Sequence, residues 1–311
     1  MNIQQLEYIV AIDDHRHFVT AADKCFITQP TLSMMVQKLE EELNTKIFNR
    51  SIHPIAPTPM GEKIINQARK VLFEAKKLKH LALHDTLTPF GEIKLGVIPT
   101  IAPYLIPNFI KNFLLQYPEV KLSIFELKSA EIIEKLNKGE LDAGILATPL
   151  KEKNLFEKPL YQEKFILYVS QKDPKSSKKY ATMHDIDMSR LWLLEDGNCF
   201  RNQVLKFCDL KKHKLNAHVN YDAGAIQTMI RMVDVEGGVT ILPEMSRAEM
   251  TPKQRKQIKY FTSPEPMREV SVVLNKLYYN ESIVLSVEKI VKKSIQLLGV
   301  SKSQGKPIHP F

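Results

Sequence analysis

The sequence predicts an α/β protein in three parts: a small helix-rich head, one long helix, and a larger region of alternating strands and helices. Three observations carry this. Strand signals are nearly absent over the first 60 residues, and an unbroken apolar spacing of three and four runs from Gly61 to about Thr86. From Glu92 onward, apolar runs of strand length alternate with helical patterns. At 311 residues the chain is long enough for two or three domains. With 44% hydrophobic and 25% charged residues, disordered and fibrous classes are excluded.

The head opens with an amphipathic helix through Leu6, Ile9 and Val10, then a short helix over Thr20 to Lys24 and a longer one over Thr31 to Leu43. Thr28 stands as N-cap of the third, with Gln29 and Pro30 in its first turn, where a missing N–H costs nothing. Lys46 to Arg50 and Ile55 to Thr58 read as a two-stranded wing. In the long helix Ile64, Ile65, Ala68, Val71, Leu72, Ala75, Leu78 and Leu81 form a seam for a partner helix, the alternative being one face of an ordinary amphipathic helix. A boundary follows at Thr88-Pro89-Phe90-Gly91.

Beyond it, Glu92 to Val97, Val120 to Phe125 and Asp142 to Ala147 read as strands, with helices over Pro103 to Gln116 and Ser129 to Lys138 between them. That order predicts a parallel sheet. A second run contains strands Phe165 to Val169 and Gly238 to Leu242 with a helix over Ala225 to Val233, so two lobes are expected. Arg268 to Leu274 reads as a strand and Ser282 to Leu298 as a closing helix, followed by a flexible tail over 301–311.

No apolar run approaches the roughly 18 residues of a membrane span, and the N-terminus lacks the basic start and apolar stretch of a secretory leader. A cytoplasmic location is expected. Net charge is +9, but only +1 falls within the first 90 residues and +8 beyond them. A nucleic-acid partner must therefore be argued from a motif and not from bulk charge. Cys25, Cys199 and Cys208 are too few for a disulfide framework, and the latter pair points first to redox or metal chemistry. The nine histidines do not pair with cysteines at ligand spacing, so no metal and no cofactor are expected. His218 reads as structural.

A helix that reads DNA must bury one face, here Leu32, Val36, Leu39 and Leu43, and present short polar side chains to base edges. Thr28, Gln29, Thr31, Ser33 and Gln37 fit the outward face. Gln29 and Gln37 suit adenine edges and Pro30 a thymine methyl, while Lys38 and Arg50 suit phosphates. Each also reads simply as a solvated polar residue. Of Met34 and Met35, one is expected to pack. Cys25 is expected to pack as well.

The segments Phe18 to Lys24, Ile27 to Ser33, Val36 to Leu43, Ile47 to Arg50 and Thr58 to Gly61 together resemble the winged helix-turn-helix of LysR-type transcriptional regulators. The resemblance implies a DNA-binding domain over 1–60 and a linker and dimerisation helix over 61–87. It further implies a two-lobed, periplasmic-binding-protein-like α/β regulatory domain over 91–300, with the second lobe at about 164–267. Double-stranded DNA and RNA polymerase are the implied partners, and the implied assembly is a homodimer to homotetramer.

Within that family, Leu194 to Cys208 resembles the peroxide-sensing members, as do Val97-Ile98-Pro99-Thr100, Gly237 to Pro243 and Pro264-Glu265-Pro266-Met267-Arg268. By this resemblance Cys199 is the peroxidatic cysteine and Cys208 resolves it to an intramolecular disulfide. Thr100 then positions hydrogen peroxide, Arg268 stabilises the thiolate, and thiol reductants such as thioredoxin or glutaredoxin reset the protein. Asn198 stands where these members often carry histidine. On the residues alone, Thr100 also reads as a helix N-cap before Pro103, Arg268 as a surface charge and the cysteines as two small core hydrophobes.

The turn Asp196-Gly197-Asn198 places Cys199 in the first turn of a helix, where N–H groups and the dipole favour a thiolate. A thiolate is what attacks peroxide. Cys208 falls on the stripe of Phe200, Val204 and Phe207 and is expected to be buried. Were 199 to 208 all helical, their α-carbons would lie about 13 to 14 Å apart, against the roughly 7 Å limit of a disulfide, so pairing requires the helix to unwind. Two other designs use the same parts. One is a regulator that binds a small-molecule effector between its lobes, with the cysteines incidental. The other is a thiol peroxidase, which has no need of a reading head, so the chain is not expected to be an enzyme.

Overall fold

The computed structural model describes residues 1–81, 89, 91–173, 180–182, 185–208, 223–298, 308 and 310. The chain divides into two units, Met1–Thr86 and Leu87–Phe311.

In the first unit, α1 (Ile3–His15) begins on a capping box, Asn2 accepting from the Gln5 N–H while the Gln5 side chain accepts from Asn2. Helix α2 (Phe18–Lys24) and α3 (Gln29–Glu42) follow, and Leu32, Val36 and Leu39 of α3 are fully buried among Ile9, Ile12 and Ala21. Leu43 departs from the expected face. The helix stops at Glu42, and Leu43, its C-cap, is 36% exposed beside Asn44, whose positive φ turns the chain. Thr28 is the N-cap, but its hydroxyl lies 2.9 Å from that of Thr31 and caps no backbone N–H.

The wing is β1 (Phe48–Asn49) paired antiparallel with β2 (Ala56–Pro57). Buried Glu40 fastens it to α3, its Oε1 accepting from the N–H groups of Ile47 and Phe48. Helix α4 (Pro59–Leu81) starts against Ile47: a Cβ on Gly61 would stand 1.9 Å from the Ile47 carbonyl oxygen, so only glycine fits. The seam of α4 is divided. Ile65 and Ala68 are buried within their own unit, and Arg69 pairs with Asp13 and Asp14 of α1. Leu78 is 71% exposed and Val71 is also exposed. Residues 82–87, expected to continue this helix, and boundary residues Thr88 and Phe90 lie outside the described residues, as does the side chain of Leu81.

The second unit contains β3 (Glu92–Val97), α5 (Ala102–Gln116), β4 (Lys121–Glu126), α6 (Ser129–Lys138), β5 (Ala143–Thr148) and β6 (Leu155–Val169). Then come β7 (Tyr180–Ala181), β8 (Leu191–Trp192), α7 (Cys199–Phe207), α8 (Ile226–Glu236), β9 (Val239–Pro243) and α9 (Pro252–Arg255). β10 (Ile258–Phe261), β11 (Met267–Asn275) and α10 (Glu281–Leu298) complete it.

The sheet runs β4-β3-β5-β11-β6-β10-β7, with β9 on β6 and β8 on β9. β3 pairs parallel with β4 and β5, but β11 is antiparallel to both β5 and β6. The three strands expected to be parallel are so, and the whole sheet is mixed because the later β11 is antiparallel to its neighbours. β11 returns late in the chain and inserts between β5 and β6, a placement that local alternation does not encode. β6 also begins ten residues before the strand read from sequence, because Glu157, Lys158, Gln162, Glu163 and Lys164 disguise its first part. That first part pairs with β11, and Phe165–Val169 pairs with β9. One apolar core extends from Ile93 to Val291, and α10 packs on α5. His218 and, apart from Ile308 and Pro310, the tail from Ser301 lie outside the described residues.

Candidate functional site

Two sets of residues stand out, one in each unit. In the first, Thr28, Gln29, Pro30, Thr31, Gln37 and Lys38 are exposed on one end and face of α3, and Ser33 is half-buried. Gln37 Nε2 donates to Glu41 at 2.9 Å. Arg50 is held by its own unit: Nη1 donates to Ser33 Oγ at 3.4 Å, Nη2 lies 3.6 Å from Glu40, and the guanidinium sits 5.2 Å from the Phe18 ring centroid. Met35 packs on the core while Met34 is exposed. Cys25 closes α2, half-buried against the same core, and burial pushes its thiol up. Phe26, which the sequence reading passed over, is 95% exposed at a positive φ just before α3.

In the second unit Gly197, with φ of 84°, makes the turn into α7, and Asn198 Oδ1 accepts from the Phe200 N–H at 2.9 Å. Cys199 is thereby set as the first residue of α7, and Cys208 as its C-cap. Both thiols are free and buried, at opposite ends of a nine-residue helix. Arg201 Nη1 donates to the Leu194 carbonyl at 2.6 Å and ties the helix back to the segment that leads into it.

Arg268 is fully buried. Its Nη1 donates to Thr100 Oγ1 at 2.8 Å and Nη2 to the Thr100 carbonyl at 3.2 Å. Nε donates to Glu163 Oε2 at 2.8 Å, with Nη2 2.7 Å from the same oxygen. The guanidinium carbon lies 5.2 Å from the centroid of the Phe200 ring, the residue after Cys199. Thr100 is thus a buried acceptor and not the cap of α5, whose N-cap is Ile101; nor is Arg268 a surface charge.

The electrostatics of Cys199 differ from the sequence expectation. Burial pushes its thiol up, and this outweighs the Ser129 hydroxyl, the Arg268 charge and the N–H groups of Phe200 and Cys199, all of which pull it down. The features that favour a thiolate are present, but desolvation wins. Cys208 has no such counterweight and is pushed up to about 12 by burial.

Three residues of this neighbourhood were not found from sequence. Ser129, first residue of α6, lies beside Cys199, and its buried oxygen has no hydrogen-bond partner of good geometry among the described residues. Glu163 is the carboxylate on Arg268. Gln203, fully buried one turn after Cys199, donates from Nε2 to the Ile308 carbonyl at 2.7 Å, while its Oε1 has no partner among the described residues. Charge within a strand pattern was the one available signal for Glu163; Ser129 and Gln203 carried none. Among the described residues no cluster of three metal-ligating side chains occurs, and no helix is long and apolar enough to cross a membrane.

Each unit of the chain matches a known protein family. Residues 3–62 match the bacterial regulatory helix-turn-helix proteins of the lysR family, and residues 88–292 match the LysR substrate binding domain. A protein of Haemophilus influenzae named hydrogen peroxide-inducible genes activator is 35% identical over 275 residues, covering 88% of this chain and 90% of that one. Full-length OxyR from Pseudomonas aeruginosa, carrying a cysteine-to-aspartate change, superposes with a TM-score of 0.77 at 32% identity over 94% of this chain and 98% of that one. A hydrogen peroxide-bound cysteine-to-serine variant of Corynebacterium glutamicum OxyR superposes with a TM-score of 0.61 at 25% identity, covering 97% and 99% of the two chains.

Proposed function

Because the chain belongs to the LysR family of DNA-binding regulators, among its OxyR-like hydrogen peroxide-inducible activators, we propose that it senses hydrogen peroxide through Cys199 and Cys208. It is a regulator and not an enzyme. The observation that carries the proposal is the enclosure of Cys199 at the start of α7 with Ser129 beside it and the charge of Arg268, itself hydrogen-bonded to Thr100, acting on it.

The chemistry runs in two steps. The Cys199 sulfur, deprotonated on reaction, attacks one peroxide oxygen, the O–O bond breaks, and the departing hydroxide takes up a proton as water. The sulfur is left as a sulfenic acid. The Cys208 sulfur, having lost its proton, then attacks the Cys199 sulfur, and the S–O bond breaks to release a second water. Thr100 and Ser129 hydroxyls position the peroxide, and the Arg268 guanidinium supports the developing negative charge.

The helix between the cysteines supports the consequence. A nine-residue helix holds its ends about 13 Å apart and a disulfide needs about 7 Å or less, so bond formation unwinds α7. Phe200, Val204 and Leu205 then leave the core and the second lobe is remade. Dimerisation along α4, where Val71 and Leu78 are exposed, and assembly to a tetramer couple this change to the spacing of the DNA-reading heads. Thr28, Gln29, Pro30, Thr31, Ser33 and Gln37 read bases, and Lys38 and Arg50 hold phosphates. The rearranged form engages RNA polymerase in the cytoplasm, and thioredoxin- or glutaredoxin-type thiols restore the reduced state.

The test is intact mass with free-thiol counting after one equivalent of hydrogen peroxide, on wild type, Cys199→Ser and Cys208→Ser. Wild type should lose two thiols and two hydrogens, and Cys208→Ser should hold a trapped oxidised sulfur. Unreacted Cys199 and Cys208 at that dose would sink the proposal and direct attention to an effector between the lobes.

A further inference from the structure

The reading of Cys199 as a peroxide sensor uses Arg268 as its positive group, but Arg268 is not alone in the interior. Glu163 lies directly across from it in the β6–β11 register, so both side chains stand on one face of the sheet. Both are fully buried. One oxygen of Glu163 receives Arg268 Nε and Nη2, and the other accepts from the Met245 N–H at 2.7 Å. The carboxylate is therefore anchored on both sides.

A guanidinium has five N–H groups in a fixed plane. Four are accounted for here: two on Glu163, one on the Thr100 hydroxyl and one on the Thr100 carbonyl. One Nη1–H remains for an oxygen that enters the site. The Glu163 pair fixes the Nε edge and so decides where that last N–H points. It also cancels the charge. A buried cation is costly without a partner, and Glu163 in contact gives the Arg268 pair no net charge.

We propose that Glu163 is a positioning residue of the peroxide site, orienting the Arg268 guanidinium and offsetting its charge so that the reactivity of Cys199 is set by the pair and not by Arg268 alone. This deepens the peroxide-sensing reading and rests on it. Polar groups around this pair among the described residues include Tyr161 of β6, Tyr104 of α5 with Glu249 acting on it, Ser129 of α6 and Thr100; burial pushes both tyrosine hydroxyls up, so they stay protonated at neutral pH. The Lys128–Glu195 ion pair, 2.7 Å across, joins the entrance of α6 to the segment just before α7 and is itself balanced. Glu163 and Arg268 are the two fully buried charges in direct contact at this site.

The experiment follows Cys199 ionisation by thiolate absorbance and peroxide reaction by thiol loss, in the full-length chain carrying Cys25→Ser and Cys208→Ser. Glu163→Gln removes the carboxylate charge, and the Cys199 titration midpoint should fall by about one pH unit. Glu163→Asp keeps the charge on a shorter arm, so the midpoint should stay near that of the parent while the peroxide rate constant drops about tenfold through misplacement of Arg268. Circular dichroism and DNA retention confirm that each variant is folded, and if Glu163→Gln does not fold, Glu163→Asp carries the test. A Glu163→Gln midpoint equal to the parent's overturns the charge role, and a Glu163→Asp rate equal to the parent's overturns the positioning role. Titration needs no peroxide, so the expected midpoint shift in a protein inert to peroxide would uphold Glu163 and reject only the sensing reading.

Discussion

Arg268 and Thr100, 168 residues apart in sequence, are joined in the core by a hydrogen bond of 2.8 Å from Nη1 to Oγ1. Thr100→Val preserves shape but leaves a charged buried donor without its acceptor, a cost of about 1 to 3 kcal/mol. Melting stability should fall by that order, and Cys199 oxidation should slow by about a hundredfold, since a displacement near 1 Å has that effect. Rapid-quench alkylation after peroxide addition measures the rate. Wild-type kinetics in Thr100→Val would remove Thr100 from the site.

Asn198 caps α7, and its replacement by alanine should cost about 1 kcal/mol of local helix stability. Because the helix must open before Cys208 reaches Cys199, the second chemical step should accelerate by about fivefold. The lifetime of the sulfenic acid, followed by trapping with a dione reagent, gives that step directly. A longer lifetime in Asn198→Ala would show that α7 opening does not limit disulfide formation.

The Cys208 thiol has an ordinary value of 9.0 and is pushed up to about 12 by burial. The folded state therefore holds its proton more tightly than the unfolded state. Its contribution to stability is complete below pH 9.0 and is lost as pH rises toward 12. At roughly pH 10.5 the loss from this group is about 2 kcal/mol, and it should be absent in Cys208→Ala. Urea midpoints of both proteins at neutral and alkaline pH, under reducing conditions, make the comparison; parallel pH slopes would contradict it.

On DNA, Lys38→Ala should weaken all sequences alike and reduce the salt slope by about 1, as loss of one phosphate contact requires. Gln37→Ala should instead relax sequence preference, with about 1 to 3 kcal/mol less discrimination at one base position. Binding to a selected operator and to its point variants, over a salt series, separates the two effects. Equal salt slopes for Lys38→Ala and wild type would place Lys38 off the backbone.

The segment at Ile308 bridges two site elements, its carbonyl accepting from Gln203 of α7 and its N–H donating to the Met267 carbonyl at 2.7 Å. A chain ending at Leu298 leaves the buried Gln203 amide without an acceptor, a loss of about 1 to 3 kcal/mol. Amide exchange within α7 should speed up selectively. Unchanged protection of α7 would show that the bridge adds nothing to its stability.

The parts legible in the sequence are those set by near neighbours. A 3.6-residue period identified Leu32, Val36 and Leu39 as the buried face of α3, and Asp196-Gly197-Asn198 marked the start of α7. Leu43 was misread because a period says where a face lies and not where the helix stops. The first part of β6 was hidden because its charged residues face partners, such as Arg268 and Glu288, that only the folded sheet supplies.

By itself the sequence determined local geometry and chemical identity: helical faces, caps, the turn before Cys199 and the resemblance that singled out the cysteine pair. Tertiary structure decided convergence, because the insertion of β11 between β5 and β6 is what brings Arg268 to Glu163 and Thr100. It decided as well the sign of the Cys199 shift. Helix N–H groups and a nearby guanidinium favour the thiolate, but desolvation depends on everything packed around the sulfur, and here it outweighs them.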